Sequence, residues 1–143
     1  MDYQTRFNIP LLTHRLRVAT RWVKQHQPTR HLPIGYFGAS TGAAAALQAA
    51  AALGEGVCAV VSRGGRPDLA GSHELMRVKS PTLLLVGGRD DEVIELNREA
   101  HEWLPCTKEL SIIPGATHLF EETGTLEEVA RQATAWFNQY LKT

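Results

Sequence analysis

Ser40, a pair of aspartates at 90 and 91, and His118 are the side chains in this sequence that together could attack a carbonyl carbon. Ser40 stands in Gly38-Ala39-Ser40-Thr41-Gly42, with a glycine two positions to either side. Between a strand and a helix, that arrangement permits a turn so tight that the serine is strained and its hydroxyl stands clear of the sheet. Side chains at 38 and 42 are expected to collide with the neighbouring strand and helix, and Ala43 and Ala44 extend the demand for small residues. The following helix would aim its first N–H groups and positive dipole end at the reacting centre. A serine hydroxyl needs a base, and the base needs an orienting carboxylate. Asp90 and Asp91 follow the apolar run at 83–86, and His118 lies in Pro114-Gly115-Ala116-Thr117-His118-Leu119-Phe120. Taken singly, Asp90 also reads as a helix cap, and His118 as a surface-loop histidine. Their order along the chain after Ser40 favours a joint role.

Other chemistries find less support. A phosphate-binding loop would carry a lysine before its Ser/Thr, and none is present; Gly35, Gly38 and Gly42 do not have dinucleotide-binding spacing. Cys58 and Cys106 form neither a metal-ligand pattern nor a disulfide framework, and no pair of histidines has metal-ligand spacing. Arg63 and Arg66 could hold a substrate carboxylate through paired hydrogen bonds. The plainer reading is loop solubility, with either arginine paired to Asp68 or Glu74.

The periodicity predicts a helix over 11–27, with Leu12, Leu16, Ala19, Trp22 and Val23 on its apolar side, Pro10 in its first turn and Pro28 beyond its end. Short apolar runs at 32–38, 57–61, 81–87 and 109–113 read as strands. Helices are expected over 41–53, closed by Gly54, and over 93–104, stopped by Pro105, with a short segment near 74–78. The last helix is expected to open with a capping box of Thr125 and Glu128. Its apolar face would comprise Leu126, Val129, Ala130, Ala133, Trp136, Phe137, Tyr140 and Leu141. Trp22, Trp103 and Trp136 all fall at core-facing positions, and Cys58 reads as a small filler within a buried strand. Strands without polar alternation, separated by helices, predict a parallel sheet covered on both faces. Ser40, the two aspartates and His118 then leave one edge of that sheet, at the carboxyl ends of the strands, where such sheets place their sites.

With 143 residues, 15 Lys+Arg against 15 Asp+Glu and 43% hydrophobic residues, the composition fits one soluble globular domain. Zero net charge gives no electrostatic case for nucleic acid or an anionic membrane surface. No apolar run approaches the length of a membrane span. The start, Met1-Asp2-Tyr3-Gln4, lacks signal-peptide character, so a cytoplasmic location is expected.

The sequence resembles the carboxyl-terminal part of an α/β-hydrolase of the dienelactone hydrolase type, over nearly its whole length. The resemblance rests on Gly38-Ala39-Ser40-Thr41-Gly42, Gly87-Gly88-Arg89-Asp90-Asp91-Glu92-Val93 and Gly115-Ala116-Thr117-His118. The chain order Ser, Asp, His is the one such sheets use. In these families the acid stands three residues after a glycine and three before an apolar residue. Gly87, Asp90 and Val93 match, which favours Asp90 over Asp91. The resemblance implies a three-layer αβα domain over 1–143 with about four mostly parallel strands, lacking the family's usual amino-terminal strands. It implies Ser40 as nucleophile, His118 as general base and acid, Asp90 as its orienter and the backbone N–H of Thr41 as oxyanion donor. Dienelactone hydrolases proper carry cysteine at the nucleophile. The serine here points toward a general carboxylic-ester hydrolase using a small-molecule ester, without cofactor or metal. Two alternatives are an inactive hydrolase-fold scaffold, since a second oxyanion donor usually comes from the absent strands, and an acyltransferase or peptidase using the same triad. The strand ending at Gly38 would normally pair with a further strand, so its open edge predicts a dimer or higher oligomer.

Overall fold

Four strands lie side by side in chain order in the computed structural model, which describes residues 8–142. The Met1-Asp2-Tyr3-Gln4 start lies outside the described residues. The strands are β1 (Gly35–Ala39), β2 (Ala59–Arg63), β3 (Thr82–Gly87) and β4 (Lys108–Ile113), and every neighbouring pair is parallel. Around them are the helices α1 (Ile9–Gln25), α2 (Thr41–Leu53), α3 (Ser72–Leu75), α4 (Asp91–Trp103) and α5 (Thr125–Tyr140), with 3₁₀ turns at Gly54–Gly56 and Pro67–Ala70. The register pairs Ala39 with Arg63, Arg63 with Leu85, and Gly87 with Ile113. The carboxyl ends of the strands are therefore nearly level, and the loops after β1, β2, β3 and β4 all leave from one rim.

The sheet separates two cores because successive side chains along a strand point to opposite faces. Tyr36, Val60 and Leu84 pack with Leu47 of α2 and with Ala100 and Leu104 at the end of α4. Val61, Leu83 and Leu85 face the other way, against Val129, Ala133 and Trp136 of α5 and against Phe120. All six residues of β3 are buried, as expected of a strand covered on both sides. The alanines of α2 let its backbone settle close to the sheet, and nine of its residues are buried. The result is the expected three-layer α/β architecture.

Several sequence expectations shift. The first helix begins two residues early because Asn8 Oδ1 accepts the Leu11 N–H at 3.1 Å and Pro10 fits its first turn. The second strand forms at 59–63 rather than 57–61. Before it, the Cys58 N–H donates to the Ile34 carbonyl at 2.8 Å, and Cys58 itself is half-buried rather than enclosed. The short helix stands at 72–75, a little before the segment expected at 74–78.

Trp22 is 60% exposed rather than in the core, and Ala19 is exposed as well. Helix α1 packs on α2 and touches the sheet through the Thr20 and Tyr36 hydroxyls, 2.6 Å apart; of its apolar stripe, Leu16 packs against the core while Ala19 and Trp22 stay exposed among the described residues. Leu126 and Ala130 are also exposed. The capping box does not form. Gly124 is the N-cap at φ +83°, the Thr125 hydroxyl turns back to the Glu122 carbonyl at 2.8 Å, and Arg131 and Gln132 engage the Glu128 carboxylate.

Candidate active site

The turn from β1 into α2 holds Ser40 at φ +50°, in the left-handed region that side chains seldom adopt. The crowding at Gly38 explains why the turn is so sharp: a Cβ there would lie 2.7 Å from the Gly42 carbonyl oxygen and 2.8 Å from the Ala43 nitrogen. Position 42 differs from expectation, because a Cβ there would meet nothing within 4 Å. It lies on the side of the first α2 turn that no described residue covers. The Ser40 carbonyl accepts from the Ala43 N–H at 3.2 Å and from the Arg66 N–H at 3.0 Å. The loop after β2 is thereby fastened to the serine turn.

Asp90 and His118 come from two neighbouring loops. Asp90 occupies the N-cap position of α4, yet its side chain makes no capping hydrogen bond. Its Oδ2 instead lies 3.0 Å from His118 Nδ1. The other imidazole nitrogen, Nε2, lies 3.2 Å from Ser40 Oγ. In the neutral tautomer protonated at Nδ1, the ring donates to Asp90 and accepts from the serine hydroxyl. The side chain of Asp90 is 18% exposed and that of His118 is 42% exposed, so the array opens to solvent on one side. Asp91, the first residue of α4, is exposed. Of the two aspartates, Asp90 is the one brought to the histidine.

His118 is held out from the core by buried neighbours. Ala116 and Phe120 belong to the core on the α5 face, and Phe120 has φ +55°. Gly87, ending β3, makes room for this loop, since a Cβ there would lie 2.5 Å from the Ala116 carbonyl oxygen. The Ala116 carbonyl accepts the Arg89 N–H at 2.9 Å, tying the histidine loop to the aspartate loop. Thr117 donates twice to Glu122, from its N–H at 3.0 Å and its hydroxyl at 2.7 Å.

An open cleft of about 530 Å³ lies over these groups, lined by Ser40, Thr41, Arg66, Leu69, Val93 and the Asp90–His118 pair. Thr41 is the first residue of α2, where helix N–H groups and the dipole favour negative charge. Arg66 reaches this cleft while its Nε and Nη2 donate to the two carboxylate oxygens of Asp68 at 3.1 and 3.0 Å. Arg63 does not line the cleft; its guanidinium lies 5.6 Å above the Phe120 ring. A larger hollow of about 750 Å³ at the opposite end of the strands, between Gly54 and Met76, is lined by no Ser, Cys, Thr or His. Among the described residues no cluster of three His, Cys, Asp or Glu side chains is arranged to hold a metal ion, and no helix is long and apolar enough to cross a membrane.

Sequence reasoning did not single out Asn97 or Glu122. Asn97 is fully buried in α4, and its amide donates to the carbonyls of Gly65 and Val93 at 3.1 and 2.9 Å. It thus braces the loop that reaches Ser40. Its signal was a polar residue within an apolar helix stripe. Glu122 had no periodic signal, because its partner Thr117 is in the same irregular loop.

No family model matches the chain. Its structure superposes on a dienelactone hydrolase from Anabaena variabilis with a TM-score of 0.94 and 57% identity, covering 96% of this chain and 63% of that one. It also superposes on the esterase domain of a Rhodothermus marinus protein with a TM-score of 0.77 and 21% identity, covering 91% of this chain and 69% of that one; this second likeness concerns the fold. A Mycobacterium tuberculosis protein provisionally named a phosphoribosyl transferase is 57% identical over 135 residues, which is 94% of this chain and 30% of that protein. The chain thus spans less than a third of that curated relative and under two thirds of the Anabaena chain.

Proposed function

We propose that this chain, which has the α/β-hydrolase fold and is similar to a dienelactone hydrolase, is a serine hydrolase that cleaves carboxylic esters through an acyl-enzyme. The observation carrying this reading is the continuous hydrogen-bonded path from Ser40 Oγ through His118 to Asp90 Oδ2, at the floor of an open cleft. Residues 1–143 act as one domain in this reading.

Ser40 Oγ attacks the ester carbonyl carbon while its proton passes to His118 Nε2. Asp90 accepts from Nδ1–H, which fixes the ring and stabilises the imidazolium that forms. The negative charge on the carbonyl oxygen develops beside the amino-terminal end of α2, where the Thr41 N–H is the donor. Collapse of the tetrahedral intermediate breaks the ester C–O bond, and the alcohol leaves with the proton from His118. Water then gives a proton to His118 and its oxygen to the acyl carbon. The acid departs, and the proton returns to Ser40. Leu69 and Val93 supply apolar walls for the acyl or alcohol group, and Arg66 is positioned to meet an anionic substituent at the cleft rim. The transferase name belongs to a relative matched over only 30% of its length, and the Ser40 site contains no lysine that would cradle a phosphate.

Ser40→Ala is expected to lower turnover of a 4-nitrophenyl ester by about a thousandfold or more and to abolish the initial burst of nitrophenol. Unchanged turnover would overturn the mechanism.

We also propose that two copies associate through the outer edge of β1, which no described strand pairs. Helix α5 covers β2, β3 and β4 but leaves Phe37 of β1 52% exposed. Val18 and Trp22 on the neighbouring α1 line an apolar hollow of about 530 Å³. An apolar edge strand with unpaired backbone groups is a template for another strand.

A further inference from the structure

The loop from Pro114 to Gly124 must present an imidazole in one direction, although it has no regular secondary structure of its own. Ala116 and Phe120 are buried and secure the loop on either side of His118. Those anchors fix where the loop passes; they do not fix the peptide plane that enters residue 118. That plane contains the Thr117 carbonyl, and its orientation follows from the torsions of Thr117. The Thr117 N–H and hydroxyl both end on one carboxylate, that of Glu122, through Oε1 at 3.0 Å and Oε2 at 2.7 Å. Two donors from one residue on the two oxygens of one planar group leave little torsional freedom between them. The Thr117 carbonyl, in turn, accepts the Phe120 N–H at 3.2 Å.

Glu122 is itself held. Its carbonyl accepts the Thr125 N–H at 3.1 Å and the Thr125 hydroxyl at 2.8 Å, where Thr125 is the buried first residue of α5. The contact thus joins the histidine loop to a regular helix. The hydroxyl and N–H of Thr117 hold the Glu122 carboxyl below the usual carboxylate range, with the nearby Arg89 charge acting in the same direction. The clamp is therefore ionised wherever a neutral imidazole could act as base. Charge-assisted hydrogen bonds of this kind are stronger than neutral ones.

We propose that Glu122 is a positioning residue for His118: by clamping Thr117 it sets the backbone from which the imidazole reaches both Ser40 and Asp90. Glu122 touches none of the reacting atoms, and its effect passes through the two hydrogen bonds it accepts from Thr117. The inference rests on the serine-hydrolase reading. It goes beyond that reading in assigning the base its support, a role the Ser, His and Asp motifs do not contain.

The test compares wild type, Glu122→Ala, Glu122→Gln and Thr117→Val in the full chain. Hydrolysis of a 4-nitrophenyl ester, the rate of Ser40 modification by a fluorophosphonate, and the downfield proton NMR resonance of the His118 Nδ1–H are measured together. Misplacing a reacting group by about 1 Å can cost on the order of 100-fold. Glu122→Ala is therefore expected to lower kcat by about 10- to 100-fold with KM within about twofold, to slow fluorophosphonate modification in proportion, and to broaden or shift the imidazole proton. Glu122→Gln keeps an acceptor for the Thr117 N–H and is expected to recover most of the loss. Thr117→Val, which removes only the hydroxyl donor, should fall between wild type and Glu122→Ala. A merely structural role would lower the melting temperature while leaving the imidazole resonance and the kcat-to-KM split unchanged, and that result overturns the proposal. If Glu122→Ala matches wild type while wild-type Ser40 is modified, the positioning role alone is lost. If Ser40 of the wild type is not modified, the serine-hydrolase reading fails first.

Discussion

Asp90 had two roles available to it, capping α4 or orienting His118, and its carboxylate has taken the second. The helix forgoes a side-chain cap, typically worth about 1 kcal/mol, at the position where the proposed mechanism requires a fixed acceptor. Asp90→Asn is therefore expected to reduce kcat by between about 100- and 10,000-fold, because the amide favours the wrong imidazole tautomer. Asp91→Asn, at an exposed position, should change it by less than about twofold. Equal losses from the two variants, measured on the same nitrophenyl ester, would remove the distinction between these aspartates. Ser40 and His118 were readable as candidates from glycine-containing loops that follow apolar runs, whereas the residues alone left Asp90 and Asp91 open and the family resemblance favoured Asp90. The direction of each side chain was not legible. The placement of Arg66 in the cleft and Arg63 over Phe120 depends on how the β2 loop folds back on the serine turn. The need for glycine was readable at Gly38, where the collision is with backbone. It was misread at Gly42, where the space proved open.

Strand and helix limits were recovered most closely for α2, β3 and β4, whereas β2 forms two residues beyond its apolar run. Strand β3 is buried throughout, and its apolar run marks its limits to within one residue. Helix α2 runs from Thr41 to Leu53 as its alanines and Gly54 indicate. Helix α1 carries a regular apolar stripe that periodicity assigns to a core, yet Thr20 is its sole buried residue in the described range. Periodicity says which residues share a face, but it cannot say whether another element covers that face. The attachment of α1 includes two polar contacts, Thr20 with Tyr36 and the Thr13 hydroxyl donating to Gln48 at 2.9 Å. Removing the phenol in Tyr36→Phe is expected to cost about 1 kcal/mol in urea unfolding.

The alkaline behaviour of Tyr36 has a defined sign. Burial pushes its phenol above the ordinary tyrosine value, more than the Thr20 hydrogen bond lowers it. The neutral phenol is then the form the folded state prefers. Its contribution is fully present below the unfolded value of about 10 and is lost as the pH rises through the folded value. Wild-type stability should fall in that alkaline range more steeply than that of Tyr36→Phe. Parallel curves would show that burial does not hold the Tyr36 phenol neutral in the folded state.

The two central strands of the sheet, β2 and β3, are covered on both faces, and no described strand pairs with the outer edge of β1. Phe37, on the α5 side of that edge, and Trp22 and Val18, on α1 at the other side of the sheet, are each exposed. Pairing of two copies there predicts a dimer in sedimentation velocity at micromolar concentration, and Phe37→Lys should shift it toward monomer. A wild type that sediments as a monomer under those conditions would contradict the association. The fold class was legible from the alternation of strands and helices. The partner of the β1 edge was not, because an apolar strand reads the same whether its second neighbour is another strand or solvent.

The central claim is that Ser40 is an activated nucleophile, and it is tested most directly by treating the protein with a fluorophosphonate and locating the adduct by mass spectrometry. Only a serine whose proton is drawn to a base should displace fluoride at a useful rate. The expected result is a single phosphonyl group on the peptide containing Ser40, absent in Ser40→Ala and strongly slowed in a His118→Ala variant. A wild-type protein that stays unmodified, or is modified equally well without His118, would contradict the account.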